Sequence, residues 1–114
     1  MSDISTRELE YVSFSEVVRA HIKNYTIPQY GDKPNDMIST WSVEDCMQAI
    51  NRYVTRSRVS RRGELESLRD IIKIAHYACI AFIKKCEVVE KQGINIDELI
   101  QLIMNGKSSN EEVK

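Results

Sequence analysis

From Glu64 to Gln92 the chain runs without a glycine or a proline and repeats apolar residues at helical spacing, a pattern that demands one long helix. Leu65, Leu68, Ile72, Ala75, Cys79, Phe82, Ile83 and Cys86 fall on one side, and Ile71, Ile74, Ala78 and Ala81 widen the apolar surface beyond a single stripe. Such a helix has to be covered on several sides, so it is expected at the centre of a bundle. It is also broader than a four-helix monomer readily covers, which points to a homodimer. Its heptad-like spacing is too short and too broad for a coiled-coil assignment.

The flanking elements follow from caps and periodicity. Ser42 is a suitable N-cap for a preceding helix that carries Val43, Cys46, Met47, Ile50, Tyr53 and Val54 on its apolar side, with Glu44 and Asp45 near the positive end of the helix dipole. After the long helix, Gly93 suits a left-handed C-cap, and Asn95 followed by Glu98 starts a last helix from Ile96 to about Met104. Ile96, Leu99, Ile100 and Ile103 are expected to face inward there. At the other end, Ser13 followed by Glu16 predicts the start of a first helix running to about Asn24, with Phe14, Val17, Val18, Ile22 and Tyr25 as its stripe. Pro28, Gly31 and Pro34 then interrupt regular structure, leaving a long loop from Thr26 to Trp41 as a candidate lid or site wall. The expected fold is all-α, a compact bundle of about four helices. Residues 1–12 are read as a flexible arm, 13–105 as one domain and 106–114 as a disordered tail.

Charge and composition remove several function classes. A formal net charge of −1 counts against a nucleic-acid coat, which needs a marked basic excess. The first residues show no basic start leading into an apolar run, and no apolar stretch reaches the roughly 20 residues of a membrane span, so the cytosol is the expected location. Cys46, Cys79 and Cys86 lack the spacing of zinc or redox sites and sit at apolar-periodic positions, as small buried hydrophobes do. His21 and His76 show no zinc-ligand spacing, and His76 reads as a buried, hydrogen-bonded residue. The residues nominate no catalytic set, so enzymatic activity is left open.

What stands out chemically is Arg52, Arg56, Arg58, Arg61 and Arg62, five guanidinium groups within eleven residues and no acid among them. Arg52 and Arg56 share a helix face, and the others decorate the following turn. Guanidinium forks match phosphate oxygens, so the turn is a candidate site for a nucleotide or another phosphate-bearing ligand. The competing reading is structural: cations favour a helix C-terminus, and Glu64, Glu66 and Asp70 could neutralise the patch. Glu66 and Asp70, four apart on one face, are also a candidate pair for Mg2+.

Tyr30-Gly31-Asp32, Trp41, the helix ending Ile50-Asn51-Arg52-Tyr53-Val54-Thr55-Arg56, and the segment from Glu66 through Asp70 to Ala75-His76-Tyr77-Ala78 together resemble a pattern known from phages. It is similar to the small helical domains called nucleotide-modification-associated, relatives of the MazG-like all-α pyrophosphohydrolases. The resemblance covers residues 14–86 and implies an oligomeric helical bundle with nucleoside triphosphate and magnesium near paired acids. Glu66 and Asp70 would then be metal ligands, and Arg52 and Arg56 phosphate contacts. Two departures count against hydrolysis: Glu44 and Asp45 are adjacent at a helix start, and Lys73 stands where active members carry an acid. The alternative function is a non-catalytic protein–protein interaction module, binding a host or phage protein or a second copy of itself.

Overall fold

The computed structural model describes residues 4–32, 40–59 and 61–108, and every regular element among them is helical. In chain order these are α1 (Thr6–His21), a π-helical turn (Ile22–Thr26), α2 (Ile27–Tyr30), α3 (Val43–Val59), α4 (Glu64–Lys91) and α5 (Ile96–Met104). The first three are contiguous, so the described residues form four helical rods, as the all-α expectation requires. None of these helices is long and apolar enough to cross a membrane.

The first rod starts earlier than periodicity suggests. The Ser5 hydroxyl accepts the Glu8 N–H at 3.1 Å and the Glu8 carboxylate accepts the Ser5 N–H at 2.9 Å, a complete capping box. The same Ser-x-x-Glu signature at Ser13 lies inside the helix, and there Glu16 pairs with Arg19 on the surface. Once a turn is nucleated, each further residue adds a hydrogen bond at little cost, so the upstream cap governs. Residues 6–12, expected as an irregular arm, are therefore helical.

Pro28 does not end this rod either. Ile27 donates its N–H to the Ile22 carbonyl five residues back, which widens the turn just ahead of the proline. That widening gives the pyrrolidine ring room over the preceding carbonyls. The helix runs on to Tyr30 and stops at Gly31, whose φ of 87° suits glycine alone. The expected loop thus begins at Gly31 instead of Thr26, and its part at 33–39 lies outside the described residues.

The chain clusters into two compact units that divide within α4, Met1–Ala81 and Phe82–Lys114. In the first, Cys46, Ala49, Asp70 and Ala81 are buried. Around these small residues stands a set of half-buried rings: Trp41 on Tyr77 at 5.8 Å, Tyr53 on Tyr77 at 5.6 Å, and His21 on Tyr25 at 4.8 Å. Offset stacks of this kind add to the burial of each ring. Cys79 is exposed, against the expectation of a buried thiol, while Cys46 is buried and Cys86 half-buried.

In the second unit α4 ends as expected. The Gly93 N–H bonds to the Glu90 carbonyl and the Ile94 N–H reaches back to Val89, with Gly93 at φ 83°. Asn95 caps α5 by accepting the N–H groups of Asp97 and Glu98. Ile96, Leu99 and Ile100 are half-buried. Ile103, expected inside, is exposed, and Leu102 takes the half-buried place where the last turn tightens onto Gln101 and Ile103 through the Asn105 N–H. The expected tail is described only as far as residue 108.

Candidate functional site

The end of α3, the turn after it and the start of α4 enclose an open cleft of ≈ 440 Å³, lined among others by Arg56, Arg61, Arg62, Glu66 and Asp70. Two contacts hold α4 back along α3 and so shape it. Ser67 donates its hydroxyl to the Ser57 carbonyl at 2.9 Å, and Arg56 reaches Asp70 at 3.1 Å. Five of the seven residues that sequence reasoning assigned to phosphate and metal meet here. Arg52 and Arg58 do not: Arg52 lies near the Tyr77 phenol, and Arg58 is exposed outside the lining.

The arginines of the cleft are in different electrostatic situations. Arg56 is fixed from two sides, by the Asp70 carboxylate and by the Tyr53 ring, whose centroid is 5.1 Å from the guanidinium carbon. Glu66 bridges two guanidiniums, Arg62 at 3.0 Å and Arg69 at 2.5 Å, and Arg69 in turn lies 4.5 Å from the Tyr25 centroid. Arg61 makes no ion pair among the described residues, nor does Arg58. The neutralisation of the patch weighed from sequence is thus seen at Arg56, through Asp70, and at Arg62, through Glu66. The lining still carries three guanidiniums against two carboxylates.

The backbone adds to this excess. Ser42 closes a reciprocal cap with Asp45 at the start of α3, and Ser5 and Asn95 cap α1 and α5. α4 starts at Glu64, directly after Gly63, and carries Glu64 and Glu66 in its first turn. The positive end of this 28-residue helix lies at the cleft, whose lining includes Gly63 and Glu66, and the first-turn acids offset part of that potential.

The candidate magnesium pair, Glu66 and Asp70, is engaged by the chain's own cations. Each carboxylate is already held by arginine, and no group of three or more His, Cys, Asp or Glu side chains gathers as a metal site among the described residues. Lys73, three residues past Asp70, turns to the Tyr25 and Tyr53 rings, 5.4 Å from each centroid.

Arg69 and Ser67 were missed by sequence reasoning, Tyr25 was read only as part of an apolar stripe, and Lys73 only as a departure from the resembled pattern. The signal for Arg69 was present, since Arg62, Glu66 and Arg69 stand four and three apart on one helical path. Nothing local announces Tyr25, which arrives from the first rod.

Beside this network, both ring nitrogens of His21 are shielded from water without a hydrogen-bond partner among the described residues. Burial, then the charges of Arg69, Lys73 and His76, depress its pKa, and burial depresses that of His76. His76, expected to be hydrogen-bonded, is half-buried and tilted against Tyr77. Burial followed by the neighbouring Tyr53 phenol pushes Tyr77 up to about 12. Because both histidines are depressed below the ordinary 6.5, the unfolded chain binds more protons than the folded one in acid. Stability is therefore complete above that pH and is lost as pH falls through it. Urea midpoints should drop between pH 7.5 and 5.5, and His21→Phe should flatten that slope; an unchanged slope in the variant would assign it elsewhere.

In comparisons with family models, curated proteins and solved structures, nothing matches this chain.

Proposed function

We propose that this chain is a phage-type protein of the cytosol that binds a nucleotide through its phosphates, in the cleft between α3 and α4. The observation that carries the reading is Arg61, a guanidinium with no ion pair among the described residues, in the lining of a cleft that also holds Arg56 and Arg62. Arg62 and the α4 N-terminus supply further donors to an anion seated there. A cleft of ≈ 440 Å³ lies in the range of small-ligand sites, about 300–1,000 Å³. Arg56, held by Asp70 and Tyr53, forms the wall; Arg61 and Arg62 are the clamps, Arg62 exchanging its contact with Glu66 for the phosphate.

Magnesium enters this proposal with the ligand, bridging phosphate oxygens, since Mg2+ is commonly held through substrate phosphates and a few carboxylates. Hydrolysis is not part of the proposal. The sequence resemblance to nucleotide-modification-associated domains points the same way.

Isothermal titration with a panel of nucleoside triphosphates, with and without magnesium, checks the reading. Saturable heat with at least one of them is expected, weakened by added salt as phosphate contacts require. The absence of heat with every member would remove the nucleotide.

A protein-interaction role is the second reading, favoured by one observation: Arg58 is exposed outside the cleft, with no ion pair among the described residues, where a nucleotide in the cleft does not use it. Self-association belongs to this reading. It draws on the sixteen large hydrophobics that are exposed, against three buried apolar residues, among the described part of the chain.

A further inference from the structure

Along α4 from Leu65 to Ala81, the exposed residues are Leu65, Leu68, Ile71, Ala78 and Cys79, and every one is apolar. The charged residues of the same stretch, Glu66, Arg69, Asp70 and Lys73, are all less exposed and engage the chain's own arginines, carboxylates and rings. This inverts the ordinary surface helix, whose charges face water. At 100° per residue, the buried Asp70 and Ala81 and the half-buried Tyr77 fall on the side away from the exposed five, while half-buried Ile72 and Ala75 lie among them. The breadth of this helix thus resolves into two faces: one covered within the chain, the other bare.

We infer that the bare face pairs with the same face of a second copy, the two α4 helices running antiparallel. The inference rests on the self-association stated above and not on the nucleotide. Shape selects the occupant. Within the first unit the stripe is large at its N-terminal end, where Leu65 and Leu68 are 67% and 61% exposed and Ile71 46%, and small at Ala75, Ala78 and Cys79, before the exposed Phe82 and Ile83 of the second unit. An antiparallel copy sets large against small: Leu68 opposite the partner's Cys79, Ile71 beside the partner's Ala78, and Ile72 opposite the partner's Ala75.

Charge selects the direction. Parallel helices would bring the two arginine turns side by side, whereas the antiparallel pair holds them roughly 35 Å apart by helical rise. That exceeds the Debye length of about 10 Å at 0.1 M salt several-fold, so the turns do not repel. Area is sufficient in kind. The five residues expose on the order of 400 Å² per copy, and half-buried Ile72, Ala75 and the flanking side chains bring a pair towards the ~1,200 Å² at which stable interfaces begin. Both clefts stay open at opposite ends of such a dimer.

The experiment uses the full chain without nucleotide, so its outcome is independent of the phosphate reading. Sedimentation at micromolar concentration should give a dimer for the native chain and a folded monomer for Leu68→Glu. Under mild oxidation, Leu68→Cys should become a covalent dimer whose crosslink maps to Cys79. The native chain should not crosslink there, because its two Cys79 thiols lie about 16 Å apart along the axis. Should Leu68→Glu fail to fold, the oxidation result decides. A native monomer, a crosslink through Cys79 in the native chain, or no crosslink in Leu68→Cys overturns the arrangement.

Discussion

Replacing Arg56 with methionine is expected to destabilise the protein by about 3 kcal/mol, more than the loss of any other arginine in the turn. The Asp70 side chain is only 3% exposed, and Arg56 is its charge partner at 3.1 Å. Without the guanidinium, a carboxylate stays in a poorly solvated place with no charge partner, which is unfavourable. The reverse deletion is milder. Asp70→Asn frees an arginine that is already 43% exposed and can turn to water. Removing both charges with Arg56→Met and Asp70→Leu should recover most of the loss, since an apolar pair of similar size does not have to be solvated. Urea unfolding of the three variants and the native chain completes the cycle. An Arg56→Met midpoint indistinguishable from the native one would show that Asp70 is not held as described.

The second large effect concerns the ligand. Arg61→Ala together with Arg62→Ala should weaken nucleotide binding on the order of 100-fold, from about 1.5 kcal/mol for each charge-assisted contact. The fold should be nearly untouched. Arg62–Glu66 is a half-exposed pair of the kind worth at most about 1 kcal/mol, and Glu66 keeps Arg69 as its partner. Arg58→Ala, outside the cleft, is the control and should change affinity less than about twofold, as expected for a charge beyond direct contact. Equal losses from Arg58→Ala and the double variant would mean that diffuse positive charge, and not the cleft, draws the ligand.

The helices were legible to different degrees, for identifiable reasons. Ser42, Gly93 and Asn95 each announced a boundary because a cap is a local event, written in the residue that makes it. The start of α1 misled because Ser-x-x-Glu occurs twice, and only cooperative growth from the first copy decides between them. The π turn before Pro28 was not legible at all. Apolar spacing reports which face is buried, and a single five-residue bond hardly alters that pattern.

At the site, clustering was readable and pairing was not. Five arginines in eleven residues are visible in the sequence, as are Glu66 and Asp70 on one face. That Arg56 meets Asp70 fourteen positions away depends on how α4 folds back along α3, which the Ser67–Ser57 contact fixes in three dimensions. The neutralising role weighed for the acids proved correct for Arg56 and Arg62, and it leaves Arg61 as the residue on which the ligand proposal turns. Likewise, the broad apolar surface of the long helix was evident early. Which half of it the chain leaves bare became clear only from the exposures of Leu65, Leu68 and Ile71.

Backbone amide chemical shifts followed during titration with a nucleoside triphosphate test the central claim most directly, because they report both binding and place. The largest saturable changes are expected at Gly63, Glu64 and Leu65, with smaller ones at Arg61 and Arg62, and α5 should stay silent. Saturable shifts concentrated away from the start of α4, or none at millimolar nucleotide, would contradict a phosphate seated in the arginine cleft.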